Sequence, residues 1–204
     1  MTNCHPERSE GSVKTIMKEF NIEERVEKAK RLFKEGGYNC CQAVVLAYND
    51  LFEIDDETAA ALSSGFGGGM GRMREVCGSI SGMVMLAGLI RPANDPSVKE
   101  WRTANYALVQ EMAADFKAVN GSIVCKELLG LVPIGSNSPA PQESPEPSDR
   151  TSEYYKKRPC EELVGISARI VGEKILRFAQ DDKKEGLEDK KEGQEDKKFV
   201  QDEK

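Results

Sequence analysis

The chain places apolar residues at helical spacing along most of its length. In IEERVEKAKRLFKEGG, Ile22, Val26 and Phe33 fall on one face of a helix, while Glu and Lys occupy the other faces. No segment alternates between apolar and polar residues as a half-buried strand does. The pattern therefore predicts an all-α fold, a compact bundle of five or six helices. The other helical segments are CCQAVVLAYNDLF, DDETAAALSSGF, CGSISGMVMLAGLI, DPSVKEWRTANYALVQEMAADFKAVNG, SIVCKELLG and RPCEELVGISARIVGEKIL.

Residues that favour helix ends flank these segments. Asn39 and Asp55 stand where they can cap the second and third helices, because a short polar side chain accepts hydrogen bonds from the first free N–H groups. Asp95 is predicted to cap the longest helix, with Pro96 at its first position. Ser122 is predicted to cap the short helix that follows.

The composition divides the chain into one helical domain and two polar ends. We predict that residues 1–15 are an N-terminal tail outside the domain and that residues 16–177 form the domain. Residues 136–157 contain the Pro- and Ser-rich stretch SNSPAPQESPEPSDR and are predicted to be a flexible loop inserted in it. Residues 178–204 repeat the charged unit KKEGxED and are predicted to be a low-complexity tail, either disordered or a fraying helix.

Charge and hydropathy narrow the class of protein. The net charge of -6 is not that of a general nucleic-acid binder, which carries a basic face, so we expect no nucleic-acid partner. The longest apolar run, residues 76–90, is shorter than the roughly 20 residues of a membrane-spanning helix, and Arg91 ends it. The first residues lack the apolar region of a signal peptide. We therefore expect a cytoplasmic protein that is not embedded in a membrane.

The cysteines carry the candidate chemistry. The chain has six cysteines and one histidine, His5, which lies with Cys4 in the N-terminal tail, so the domain holds no Ser-His-Asp or Cys-His arrangement. Four cysteines stand near predicted helix N-termini, where free N–H groups and the helix dipole stabilise a thiolate and lower the thiol pKa. We predict that these four form the functional site: Cys40, Cys77, Cys125 and Cys160.

The stretch FGGGMGRMREVCGSISG, residues 66–82, singles out Cys77 among the four. It lacks the Lys-Ser/Thr of a phosphate-binding loop, and no strand precedes it, so nucleotide binding is not indicated. Its first glycines let the chain turn sharply and turn N–H groups toward the thiol, and Gly78 and Gly82 permit close packing of another helix. Because this approach leaves Cys77 least shielded, we predict that Cys77 is the nucleophile. Cys41, beside Cys40, is assigned to packing.

Three functions are compatible with this cysteine set. In the first, two or more of the four thiols meet and cycle between dithiol and disulfide, exchanging electrons with a redox partner, as an oxidoreductase-like protein would. In the second, the same four thiolates hold zinc or an iron–sulfur cluster, although the chain has no CxxC pair to preorganise such a site. In the third, the protein is a helical interaction module and its cysteines are inert.

Four motifs occur in the order YNCCQAV, GGMGRMREVCGSISG, GSIVCKELLG and PCEELV, over roughly residues 20–173. This order resembles the C_GCAxxG_C_C family of redox-active proteins. By this resemblance, the signature cysteines are Cys40, Cys77, Cys125 and Cys160, and Ser79 departs from the alanine of the family's CGAxxG step. The resemblance implies a redox role without a defined substrate and a link to a membrane transporter. A related domain in split-Soret-type cytochromes associates such cysteines with an iron–sulfur centre.

Overall fold

The computed structural model describes residues 19–140, 143–156 and 158–201 of the 204-residue chain, with side chains as far as residue 181. Within these ranges the chain forms helices and no strand, which confirms the predicted all-α fold. The helices number more than the five or six predicted because two of them, α6 and α7, are very short. They are α1 (Ile22–Lys34), α2 (Cys40–Leu46), α3 (Asp56–Ser63), α4 (Gly78–Ile90), α5 (Lys99–Asn120), α6 (Cys125–Leu128), α7 (Ser152–Lys156) and α8 (Cys160–Gln201).

Two of the four predicted N-caps are confirmed. The Asn39 side chain accepts hydrogen bonds from the N–H groups of Cys41 and Gln42 at the start of α2, and Asp55 accepts one from Thr58 at the start of α3. The other two predictions are wrong. The residue at the N-cap position of α5 is Val98, and Asp95 instead accepts the N–H of Ser97 in the turn before this helix. The N-cap residue of α6 is Val124, and the Ser122 hydroxyl accepts a hydrogen bond from the Val124 N–H.

Helix α2 lies at the centre of the bundle. It packs against α1, α3, α4 and α8, and α1 in turn lies along α8. The residues from Ala43 to Tyr48, in the second half of α2 and just after its end, are all buried, because neighbouring helices cover every face of a segment that carries almost no polar side chain. Tyr48 satisfies its buried hydroxyl by donating a hydrogen bond to the carbonyl of Ala168 in α8, at 2.8 Å. The first residue of α2, Cys40, is therefore held by a well-packed element.

The last helix is longer than the sequence pattern indicates. The backbone of α8 continues to Gln201, through the segment predicted to be a low-complexity tail, whose Glu, Lys and Gln residues are good helix formers. No helix in the described ranges combines the length and the apolar composition that crossing a bilayer requires. The predicted N-terminal tail, with Cys4 and His5, lies outside the described residues.

Candidate functional site

All four predicted cysteines stand at helix N-termini. Cys40, Cys125 and Cys160 are the first residues of α2, α6 and α8, and Cys77 immediately precedes the first residue of α4. The position that the sequence predicted is confirmed for each of them. Four elements from distant parts of the chain thus begin at a cysteine.

A close approach of α2 and α4 brings Cys40 next to Cys77. A Cβ atom on Gly78, the residue after Cys77, would lie 2.3 Å from the Cys40 sulfur and 2.7 Å from the Phe66 carbonyl oxygen. One turn further along, a Cβ on Gly82 would lie 2.9 Å from the Cβ of Val44. These distances are too short for any side chain, so both glycines are needed for the packing. The predicted role of this glycine pair is confirmed.

A single antiparallel backbone pairing brings Cys125 to Cys77. Val76 pairs with Val124 as an isolated bridge, in which the Cys77 N–H donates to Ile123 at 2.9 Å and the Cys125 N–H donates to Glu75 at 2.6 Å. Because successive side chains point to opposite sides of an extended segment, Cys77 and Cys125 lie on the same side, opposite to Val76. The pairing involves one residue from each segment, so the sequence contains no strand pattern from which it could have been predicted.

The glycine-rich loop before Cys77 forms one turn of left-handed backbone. Five consecutive residues, from Gly68 to Arg72, have φ between 56° and 73°, a region that costs roughly 1–2 kcal/mol for each residue with a Cβ. Burial raises the pKa of the Cys40 thiol, whereas the Gly68 N–H lowers it, and Gly69 packs against Cys125. The loop therefore turns an N–H toward a thiol as predicted, but that thiol belongs to Cys40 and not to Cys77.

The four cysteines line one cavity of about 50 Å³. No carboxylate is among the described residues of its wall, whereas three arginines are. The structure thus brings together all four residues that the sequence selected, while their chemical roles remain predictions. The wall consists of Phe33, Asn39, Cys40, Gly68, Arg74, Cys77, Ser79, Cys125, Leu128, Leu129, Arg150, Tyr154, Arg158, Cys160 and Leu163.

Burial dominates the ionisation of these thiols. It raises the pKa of Cys160 to about 11 and that of Cys125 to about 12, and it raises the pKa values of Cys40 and Cys77 as well. The expectation that helix N-termini lower these pKa values is therefore wrong in its net direction, because desolvation of a thiolate outweighs the helix dipole. At neutral pH the four groups are thiols.

Cys77 influences each of the other thiols in the cavity. After burial, repulsion by a thiolate at Cys77 is the next cause that raises the pKa values of Cys40, Cys125 and Cys160. Burial raises the pKa of Cys77, while the N–H groups of Ser79 and Ile80 and the Ser79 hydroxyl, whose oxygen lies 3.3 Å from the sulfur, lower this pKa and so oppose the larger effect of burial. Among the four thiols, Cys77 therefore has the largest electrostatic effect on each of the other three.

The exposure of the cysteines differs from the prediction. Cys77 is only 5% exposed, whereas Cys40 and Cys160 are half-buried, so Cys77 is not the least shielded thiol and that argument for its role as nucleophile fails. Cys41 is fully buried, with its sulfur 3.8 Å from that of Met85, which agrees with the packing role assigned to it.

The zinc or iron–sulfur alternative finds no ready donor set in the described residues. Among them, no group of three or more Cys, His, Asp or Glu side chains is placed so that it could ligate one ion. The four thiols share a cavity, but they do not have the geometry of a closed thiolate site. The residues as arranged do not fit a resident metal or cluster.

The charged groups around the cavity were not predicted from the sequence. Arg74, whose side chain is 4% exposed, pairs through Nε with Glu143 at 2.7 Å and makes a second contact to the same carboxylate. It lines the cavity with Cys125 and lowers the pKa of that thiol, against the larger effect of burial. Burial raises the pKa of Cys160, whereas Arg158 and Arg74 both lower it and so reduce the effect of burial. Arg158 stands two residues before a cysteine that opens a helix, which is the one local signal available. Glu143 belongs to the stretch predicted to be a flexible loop.

The raised pKa of Cys160 has a measurable consequence. A thiol of pKa about 11 is roughly one part in ten thousand thiolate at pH 7. We expect its alkylation by iodoacetamide to accelerate about tenfold per pH unit from pH 7 to 10, because only the thiolate reacts. Mass spectrometry of the Cys160 peptide measures the rate. The urea-unfolded chain is the control and should level off above about pH 8.5. A plateau below pH 9 in the folded protein would contradict the burial of this thiol.

Comparison with known proteins agrees with the cysteine pattern. Neither a curated protein nor a solved structure matches the chain. A family model described as "Putative redox-active protein (C_GCAxxG_C_C)" matches residues 38–174, a range that contains the four cysteines of the cavity and the loop between the third and the fourth. The chain therefore belongs to the C_GCAxxG_C_C family.

Proposed function

We propose that the cavity is a thiol–disulfide redox centre. The observation that supports it most is the convergence of four cysteines, each from the start of a different helix, on one small space. A purely structural role for four thiols would not require them to meet, because buried cysteines pack as well singly as together. The description of the family as redox-active supports the same class of function.

Cys160 is the thiol that attacks first in this proposal. It is half-buried and so accessible, and the two guanidinium groups of Arg158 and Arg74 favour its thiolate. It attacks one sulfur of a small disulfide RSSR, forms the mixed disulfide Cys160–S–S–R, and releases one thiol RSH, which takes the proton that Cys160 loses.

Cys77 then resolves the mixed disulfide. Its thiolate, which the neighbouring N–H groups of Ser79 and Ile80 favour, attacks the Cys160 sulfur and releases the second RSH, which takes the proton of Cys77. The protein has lost two electrons and two protons, RSSR has gained them, and a Cys160–Cys77 disulfide remains. Cys40 and Cys125 also adjoin Cys77, so the disulfide can move to either of them by exchange.

The test follows the fate of each thiol. The reduced protein is mixed without oxygen with bis(2-hydroxyethyl) disulfide, and the products are mapped by peptide mass spectrometry. We expect an intramolecular disulfide between Cys160 and Cys77. Cys77→Ser should accumulate the mixed disulfide at Cys160, and Cys160→Ser should slow the reaction at least about a hundredfold, because the accessible nucleophile is lost. Cys41→Ser, which alters a buried thiol outside the cavity, is the matched control.

Two results would decide against the proposal. If Cys160→Ser reacts as fast as the parent protein, Cys160 is not the entry point. If none of the four thiols forms an intramolecular disulfide while circular dichroism shows an intact fold, the cysteines are inert, as the interaction-module alternative requires. A reaction that also disappears in Cys41→Ser would show that the variants fail through loss of folding.

A further inference from the structure

A second depression in the surface lies against the cysteine cavity. It is an open groove of about 370 Å³, a size in the range of small-molecule sites. The groove and the cavity share three wall residues, Leu129, Tyr154 and Arg158. A molecule in the groove would therefore reach Cys160 past Arg158. The groove is lined by Leu129, Leu131, Thr151, Glu153, Tyr154 and Arg158.

Arg158 is positioned to bind an anion at this junction. Its guanidinium lies 4.7 Å from the centre of the Tyr154 ring, and within the described part of the chain it makes no ion pair. The stacking holds the side chain in place while its N–H groups stay available, an arrangement suited to a carboxylate. Glu153, the one acidic residue of the groove wall as described, already makes an interaction of its own.

The wall of the cavity behind the groove is positively charged. Of its two other arginines, Arg74 is paired with Glu143, and Arg150 donates hydrogen bonds to the carbonyls of Phe33 and Tyr38 at 3.0 and 2.7 Å. No described residue of the cavity wall is acidic. An excess of positive charge beside low-dielectric walls attracts anions and raises their local concentration. A cationic molecule that enters the groove would meet repulsion from these guanidinium groups as it approaches the cavity.

We propose that the groove selects small disulfides that carry carboxylates, with one carboxylate on Arg158 and the disulfide directed to Cys160. This inference names the substrate class for the redox centre and rests on the proposed function. The apolar walls of Leu131, which is 40% exposed, and Tyr154 suit the short carbon chain between the carboxylate and the sulfur. The reaction is the exchange described above, so its atoms and electrons balance in the same way.

The test compares three disulfides of similar length and different charge. They are the dianion 3,3′-dithiodipropionate, the neutral bis(2-hydroxyethyl) disulfide and the dication cystamine, each mixed with the reduced protein. Oxidation of Cys160 is followed by mass spectrometry. We expect the dianion to react at least about tenfold faster than the neutral compound, and the dication to react more slowly than both. The preference should shrink as the salt concentration rises.

Arg158→Gln separates substrate binding from thiol activation. Loss of this charge raises the Cys160 pKa and slows the reaction with all three compounds. This effect is the same for the dianion and the neutral compound, so it does not change the ratio of their rates. We expect the ratio to fall to within about twofold of one. Arg102→Gln removes the same charge from an exposed position on α5 and should leave the ratio unchanged.

The outcomes distinguish the substrate class from the function. If the parent protein oxidises with all three compounds at similar rates, or if Arg158→Gln keeps the preference, the inference about the groove is wrong and the redox centre stands. If the neutral compound and both charged ones leave Cys160 reduced, the redox proposal is wrong, and the substrate inference is wrong with it.

Discussion

Gly78→Ala is expected to destabilise the protein by about 3 kcal/mol or more, or to prevent folding. The added Cβ would lie 2.3 Å from the Cys40 sulfur and 2.7 Å from a backbone oxygen of Phe66. The sulfur is held by the packing of α2, and the backbone oxygen has no rotamer to change, so neither atom can move away at low cost. For a chain of this length we expect the melting temperature to fall by roughly 6–12 °C. Urea denaturation followed by circular dichroism measures the change.

Gly88→Ala is the matched control on the same helix. A Cβ at Gly88 meets nothing within 4 Å, so the helix propensity of alanine alone acts, and we expect a gain of about 0.5–1 kcal/mol. Adding Cys40→Ala to Gly78→Ala removes the sulfur and leaves the contact with Phe66, so the double variant should be more stable than additivity of the two single changes predicts. If Gly78→Ala is as stable as the parent, α2 and α4 do not approach as closely as described.

Gly69→Ala is expected to cost about 3 kcal/mol or more for two reasons that add. The residue has φ of 73°, a conformation unfavourable for alanine, and its Cβ would lie 2.6 Å from the Cβ of Cys125 and 2.9 Å from the N atom of Glu75. Because the collision involves the Cβ of Cys125, Cys125→Ala cannot relieve it. This differs from Gly78, where the collision involves a sulfur that Cys40→Ala removes.

Gly71→Ala isolates the backbone part of that cost. Gly71 belongs to the same left-handed turn, with φ of 56°, but nothing lies within 4 Å of its Cβ position. We expect a loss of about 1–2 kcal/mol, and the same urea titration measures both variants. Equal effects at Gly69 and Gly71 would mean that the loop does not press against Cys125.

The sequence predicted the positions of the cysteines better than their chemistry. The residue types that begin helices are local signals. The positions of the four cysteines at helix N-termini and the close packing at Gly78 could therefore be inferred from the residues next to them in the sequence. The pKa values depend on how much of the bundle covers each sulfur, and no local pattern reports that. A helix N-terminus lowers a thiol pKa only where solvent or hydrogen-bond donors stabilise the thiolate. In this protein the burial of the sulfur atoms has the larger effect and raises the pKa values.

The charged residues of the cavity wall could not be predicted from the local sequence, for a different reason. Arg74 and Glu143 are 69 residues apart, and Glu143 lies in a Pro- and Ser-rich stretch whose composition indicates only solvent exposure. Met70 and Arg72 adopt left-handed backbone without being glycines, which sequence rules discourage. Such features depend on the assembled structure around them. They occur in the loop and the ion pair that contribute Gly68 and Arg74 to the cavity wall, and local rules are most often broken near functional sites.

The position of Cys160 at the start of the last helix has a consequence for biosynthesis. The ribosome delivers Cys40, Cys77 and Cys125 before the helix that closes the cavity, and domains generally fold as the chain emerges. Until α8 docks, these three thiols lack the part of their burial that α8 supplies, so their pKa values lie closer to the ordinary value of about 8.5. The nascent chain is thus more reactive toward oxidants than the finished protein. Completion of the fold both assembles the site and protects its sulfur atoms.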